Sequence, residues 1–296
     1  MNQNAQEYEH LYHYTRLSTL EKIFFDHEGD LVELQFTDYH FLNDEDEGQW
    51  LYKLFRDYEK DIVDEFDESE KLACKKGIDD FVEFEYFKGL LKEQKNKFYS
   101  FSLSELKDSM LFWRQDYANE NGIALGFNKT KFEETYSQKI EKIRYLGIDN
   151  VKSCLPSFVD AVKRDSKYIK KRSDLKDEVL VNQLDAAKIL AKVDFSRIKN
   201  QTWESEKEWR IIVSNLRCDY DCHVDDRKNE FEKGRFEIDA NCIPRYRVKI
   251  KNPFDEIILG PNFSRYYVDS VREWLKQHKY ENIKVTNSLG HERYRP

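Results

Sequence analysis

The sequence predicts an α+β fold: a central mixed or antiparallel sheet with helical insertions. Three observations lead there. Short alternating or apolar runs bounded by turn residues mark strands, apolar residues three and four apart mark helices between them, and no internal repeat, low-complexity linker or Pro/Gly-rich boundary divides the 296 residues. One domain over 1–296 is therefore expected, with helical insertions near 57–97 and 150–200. Hydrophobic residues make up 40% of the chain and include 20 Phe and 18 Tyr, so its core must lean on aromatics.

Leu11-Tyr12-His13-Tyr14-Thr15 reads as a short aromatic strand, followed by Ser18 as a cap and Leu17, Leu20, Ile23 and Phe24 at helical spacing. Leu31 to Phe36 alternates as a second strand, with Val32, Leu34 and Phe36 on one face. The loop from Leu42 to Glu47 launches a helix beginning near Gly48, and the charged, sparsely apolar stretch from Asp57 to Lys97 fits exposed helices. In Phe98 to Leu103, Ser100 and Ser102 share one strand face and Tyr99, Phe101 and Leu103 the other; small hydroxyls leave room for a ligand. Asp108 to Tyr117 is helical, and Gly122 to Phe127 is an interior strand because it carries so little polarity. Lys139 to Tyr145 is another strand, and a Lys-rich helical region runs from beyond Asp149 to about Lys199. Cys218 to Glu237 is a polar hairpin excursion. Arg245 to Ile250 and Phe254 to Leu259 are strands, Ser264 opens a helix with Val268, Val271, Trp274 and Leu275, and Ile283 to Thr286 is the final strand.

Composition narrows the function. With 57 acidic and 49 basic residues the net charge is −8, so nucleic acid could be met only through a local patch. The best such patch is Lys163, Arg164, Lys167, Lys170, Lys171 and Arg172, set against Asp165 with Tyr168 among them; a solvated helix face is the ordinary alternative. Five scattered cysteines read as reduced thiols, and Cys218, Cys222 and His223 lack the second ligand pair of a zinc site, so no metal is expected. The N-terminal residues have no basic region followed by an apolar core, no run approaches membrane-spanning length, and a cytoplasmic, membrane-free protein is expected. Only ten glycines are present and none forms a dinucleotide-binding fingerprint.

The chemistry concentrates in Trp203-Glu204-Ser205-Glu206-Lys207-Glu208-Trp209-Arg210-Ile211-Ile212-Val213, where charge gives way to apolar alternation. On a strand Glu206, Glu208 and Arg210 would share one face. Two adjacent carboxylates suit a site in which one steadies developing positive charge while its neighbour orients a nucleophile; equally, either could pair with Arg210 or Lys207. His13 is a ligand group or a strand residue bonded to a carbonyl, and Asn43 and Asp44 are binding groups or a helix cap. Trp113 is most simply core, and Arg114 and Arg210 clamp a pyrophosphate or pair with carboxylates.

His13-Tyr14-Thr15, Asn43-Asp44 with Glu47, Phe101-Ser102, Trp113-Arg114 with Tyr117, Glu206 to Arg210 and Ile257 to Pro261 together resemble the bacterial DUF2971 family, a domain of unknown function. A looser similarity connects these landmarks to the ADP-ribosyltransferase superfamily, which cleaves NAD between nicotinamide and ribose. That similarity implies an ADP-ribosyltransferase-like sheet. His13, Tyr14 and Thr15 would lie on the NAD side, Ser100 and Ser102 would support the acidic strand, and Glu208 would bond the nicotinamide ribose with Glu206 toward the nucleophile. Tyr14, Tyr99 or Phe101 would stack on nicotinamide. The Ser-Thr-Ser of one branch is Ser100-Phe101-Ser102 here.

The implied function is an NAD-consuming, ADP-ribosyltransferase-like enzyme. It would modify a macromolecule such as RNA or DNA in a bacterial toxin or phage-defence role, with a neutralising or regulatory protein as a further partner. The alternatives are a non-catalytic nucleotide or partner sensor on the same scaffold, and an NAD glycohydrolase.

Overall fold

A computed structural model describes residues 9–26, 29–42, 63–64, 68, 71, 98–114, 121–136, 138–147, 197–214 and 234–292. Twelve strands occur among these residues: β1 (His10–Arg16), β2 (Leu31–Asp38), β3 (Phe98–Ser104), β4 (Gly122–Asn128), β5 (Glu141–Lys142), β6 (Arg144–Leu146), β7 (Ile198–Asn200), β8 (Glu208–Ser214), β9 (Arg235–Ile238), β10 (Pro244–Lys251), β11 (Phe254–Leu259) and β12 (Lys284–Asn287). The helices are α1 (Leu20–Ile23), α2 (Met110–Trp113), α3 (Lys129–Tyr136) and α4 (Tyr266–Gln277). Ten strands form one mixed, mainly antiparallel sheet in the order β12-β11-β4-β1-β3-β2-β10-β9, with β8 joined to β3 and β5 to β8. Among the described pairings of this sheet, only β11 and β12 run parallel. The architecture is thus mixed α and β around a large, mostly antiparallel sheet, as the strand pattern predicts.

Alternation decides which face carries the core. Leu11, Val32, Leu34, Phe36, Tyr99, Phe101, Leu103, Leu125, Phe127, Ile211, Val248 and Ile257 are buried in one cluster, covered by Leu20, Ile23 and Phe24 around α1, Phe132 of α3, and Val268, Val271 and Leu275 of α4. Burying each large apolar side chain contributes roughly 1.5–3 kcal/mol. β4 is the most enclosed strand: Gly122 through Phe127 are all buried, as its apolar run predicts. A smaller cluster of Tyr12, Trp113, Ala124 and Ile258 covers the opposite face beneath α2.

β3 is where the sheet divides. One of its edges pairs with β8 over its whole length, from Phe98↔Ser214 to Ser104↔Glu208. The other edge is shared: β2 takes Tyr99 and Ser100, while β1 meets it at Tyr12↔Ser104. β1 and β2 therefore diverge along the middle of β3, and a cavity opens on the face away from the main core.

Asp108 locks the wall beside that opening. Its carboxylate accepts from Trp113 Nε1 at 2.6 Å, Ser288 Oγ at 2.7 Å and the Leu289 backbone N–H at 2.7 Å, tying α2 to the end of β12. Hydrogen bonds to a charged group are worth about 1.5–3 kcal/mol each, and three that share one carboxylate do not add in full, so Asp108→Ala is expected to lower unfolding free energy by about 2–4 kcal/mol in a urea titration.

Several elements depart from their predicted limits. Lys139 to Tyr145 is two short strands, β5 and β6, interrupted at Ile143. The Lys-rich region does not remain helical to Lys199, because Ile198–Asn200 is a strand parallel to β6. At the end of the predicted hairpin excursion, Arg235–Ile238 is a strand that pairs antiparallel with β10, and residues 215–233 lie outside the described residues. Most of the predicted insertions at 57–97 and 150–200, and the Lys163 to Arg172 patch, lie outside the described residues. Among the described residues no helix is long and apolar enough to cross a membrane.

Candidate functional site

The cavity, of about 330 Å³, is lined by residues of β1, β2, β3, β7, β8 and β10. Register explains which side chains reach it. Cross-strand partners share a sheet face, so Ser100, Ser102 and Ser104 stand with Ile212, Arg210 and Glu208 on one side, and Tyr99, Phe101 and Leu103 with Trp209, Ile211 and Val213 on the other. The alternation predicted for both strands is realised.

Glu206 and Glu208 do come together, though not as neighbours on one strand. Gln201–Glu206 forms a 3-10 helix that ends at Lys207 in the left-handed conformation (φ 48°), and the strand starts only at Glu208. This turn is held from several sides. Ser104 Oγ donates to the Glu206 carbonyl at 2.7 Å, the Glu105 N–H donates to the Lys207 carbonyl at 3.1 Å, and the Glu208 N–H donates to the Tyr145 hydroxyl at 2.7 Å. Burial beside the two glutamates raises the Tyr145 phenol pKa, so its hydroxyl stays protonated.

Lys199 of β7 joins the carboxylates. Its Nζ lies 2.6 Å from Glu206 Oε2 and 3.3 Å from Glu208 Oε2, and 4.9 Å from the centre of the Trp203 ring. Arg210 grips Glu208 with two parallel bonds, Nε to Oε1 at 2.7 Å and Nη2 to Oε2 at 2.8 Å, while Lys207 turns instead to Glu204. Lys199, Glu206, Glu208 and Arg210 are all buried. Burial alone would raise the Glu208 carboxyl, but Arg210, Lys199 and a hydrogen bond from Ser102 outweigh it and bring the pKa from 4.5 down to about 2. Glu208 is thus a fixed anion at neutral pH and no proton acceptor.

A pH dependence follows. Because the folded value lies below the ordinary 4.5, the stabilisation from this carboxylate is complete above about 4.5 and is lost as pH falls toward about 2. Melting temperatures measured across that window should fall less steeply with acid in Glu208→Gln than in wild type.

The other walls differ in character. Tyr14 stacks on Phe112 with ring centres 4.5 Å apart, and its hydroxyl donates to the Leu106 carbonyl at 2.7 Å while accepting from the Ser109 N–H. That hydroxyl is fully occupied in holding the 106–109 segment. Thr37 and Arg245 belong to β2 and β10, and Arg245 Nε donates to Asp239 at 2.9 Å while Nη1 donates to Thr37. Phe41, 47% exposed, stands at the rim with Leu42.

His13 and Thr15 sit on the opposite face of β1 from Tyr14. Their strand positions pair with Leu125 and Ile123, which places both on the core face, opposite Glu208. His13 stacks on Phe101 at 4.2 Å and its Nδ1 donates to the Ser102 carbonyl at 2.9 Å, filling the gap where β1 leaves β3. It borders the cavity through that seam, and burial lowers its pKa against the opposing effect of the Ser102 carbonyl, so the ring is neutral. Thr15 Oγ1 is 3.1 Å from Thr19 Oγ1 and does not line the cavity. Trp113 is core, 1% exposed, and Arg114 is exposed away from the lining. Tyr99 lies in the main core, 2% exposed, so it is not a stacking surface. Asn43, Asp44, Glu47 and Tyr117 lie outside the described residues. Among the described residues no group of three or more His, Cys, Asp or Glu is placed to hold a metal ion.

Sequence reasoning misses Lys199, Tyr145 and Arg245. Each acts on a group brought to it by the fold, and only the apolar Ile198 beside Lys199 signals the burial of the first.

Residues 112–211 match the model of a family described as protein of unknown function (DUF2971), and the match takes in Lys199, Glu206, Glu208 and Arg210. The resemblance to that family read from the sequence holds over this span. No curated protein and no solved structure matches the chain.

Proposed function

We propose that the cavity binds a nicotinamide dinucleotide and cleaves its glycosidic bond, an ADP-ribosyltransferase-like reaction with NAD as substrate and a macromolecule as acceptor. The observation that supports it is the ionised, buried Glu208 carboxylate, oriented by Arg210 and Ser102 at the floor of a cavity large enough for part of a nucleotide. Departure of nicotinamide leaves positive charge on the ribose. An anion already fixed beside it stabilises that charge without reorganising, which is where such sites obtain most of their acceleration. Glu206, bound to the same lysine, is the group to face an incoming nucleophile, and Phe112 or Phe41 supplies an aromatic surface for the leaving ring. An ADP-ribosyltransferase-like sheet type, the acceptor, the toxin or phage-defence role and a regulatory partner belong to this proposal.

A second reading draws on a different feature of the same cluster. Arg210 and Lys199 together already neutralise much of the charge on Glu208, which suits a cavity that holds a nucleotide without cleaving it. Incubation of the purified chain with adenylate-labelled NAD and separate RNA, DNA and protein fractions decides among the readings. Label in one fraction identifies a transferase and its acceptor. Free ADP-ribose without a labelled fraction identifies a glycohydrolase, and intact NAD with a raised melting temperature identifies a sensor.

A further inference from the structure

We infer that Ser100, Thr37, Gln35 and Arg245 form a binding site for the phosphoryl groups of a nucleotide, an assignment that rests on the nucleotide reading above. The starting observation is Ser100. It is 4% exposed and lines the cavity, yet its Oγ bonds nothing in the fold. Buried hydroxyls are normally paired, so one left open toward a cavity is a group held ready for a ligand.

Register supplies its neighbours. Ser100 stands opposite Thr37, and Thr37 opposite Arg245, so the three form a row across β3, β2 and β10 on the cavity face. Gln35 lies two residues before Thr37, on the same face, and also lines the cavity. Thr37 Oγ1 accepts a hydrogen from Arg245, which leaves its own hydroxyl hydrogen to be donated elsewhere. Arg245 is held in place by Asp239 through Nε, and Asp239 is not part of the lining. The row therefore presents two hydroxyl donors, an amide donor and a guanidinium, with no carboxylate among them. Such a set recognises phosphoryl oxygens, for which a forked guanidinium and neutral O–H and N–H donors are complementary. Arg210, the other guanidinium of the cavity, is engaged bidentately by Glu208. Anion recognition on β2 and β10 is thereby separated from Glu208 on β8 and Glu206 just before it, with β3 between β2 and β8.

Thermal melting of the full chain with inorganic pyrophosphate, ADP and adenosine tests this. Pyrophosphate and ADP are expected to raise Tm while adenosine alone does not. Ser100→Ala, which removes no bond within the fold, should keep the wild-type Tm without ligand yet bind pyrophosphate about tenfold more weakly, equivalent to about 1.4 kcal/mol. Arg245→Lys keeps the charge but loses the fork, and should weaken pyrophosphate at least as much. Absence of a Tm rise with both phosphate compounds, a rise with adenosine equal to that with ADP, or pyrophosphate affinity unchanged in both variants would overturn the assignment. Nicotinamide release plays no part in this readout. A chain that binds pyrophosphate through Ser100 but never cleaves NAD keeps the subsite and loses the reaction, and the converse loses only the subsite.

Discussion

Replacing Glu208 by Gln is expected to reduce nicotinamide release from NAD by about 100- to 1,000-fold, the cost of removing one preorganised electrostatic group from a transition state. The side chain keeps its shape, but the charge that would face the ribose is gone. The same change leaves the Arg210 guanidinium and the Lys199 ammonium buried without their shared anion. Breaking a buried ion pair by removing one partner costs about 3–5 kcal/mol, so the variant should also melt at a lower temperature. Ser102→Ala separates the two effects. It removes the hydroxyl that bonds the Glu208 carboxylate while leaving Arg210 and Lys199 in place, and should lower turnover at a smaller cost in stability than Glu208→Gln, about 1.5–3 kcal/mol. Full turnover in Glu208→Gln would remove this carboxylate from the chemistry.

Lys199→Met is expected to be strongly destabilising. The ammonium stands between Glu206 and Glu208, both buried, and without it two like charges face each other in a low-dielectric interior. The expected loss is about 3–5 kcal/mol in a urea titration. Adding Glu206→Gln removes one of the two anions, so the double variant should recover part of that loss, and the difference measures the coupling between Lys199 and Glu206. Additive effects of the two substitutions would mean that the pair at 2.6 Å does not act as a unit.

The parts of the site governed by local alternation are legible in the amino-acid sequence alone. Ser100 and Ser102 share a face, Glu208 and Arg210 share a face, and Trp209, Ile211 and Val213 oppose them, because a period of two needs nothing beyond the strand itself. The buried run of β4 is legible for the same reason, since a strand covered on both faces carries apolar residues throughout.

Contacts between residues far apart in the chain set the rest. Glu206 reads as a strand residue because nothing in Glu206-Lys207-Glu208 announces a left-handed residue; a glycine at Lys207 would do so. Lys199 reads as the end of a Lys-rich helix because its burial depends on two glutamates further along the sequence. The sides of His13 and Thr15 relative to Glu208 depend on how β1 pairs with β4, a register the sequence does not display. Ser100 is visible as a small hydroxyl on the right face, but its lack of any partner emerges only once its surroundings are in place.

Nicotinamide release from NAD by the purified chain, measured with and without cell extract and beside Glu208→Gln, tests whether this cavity cleaves NAD through the Glu208 carboxylate. Release by the wild type that vanishes in the variant is the predicted result. No release under any condition, with NAD leaving the melting temperature unchanged, would contradict the assignment of this cavity to NAD.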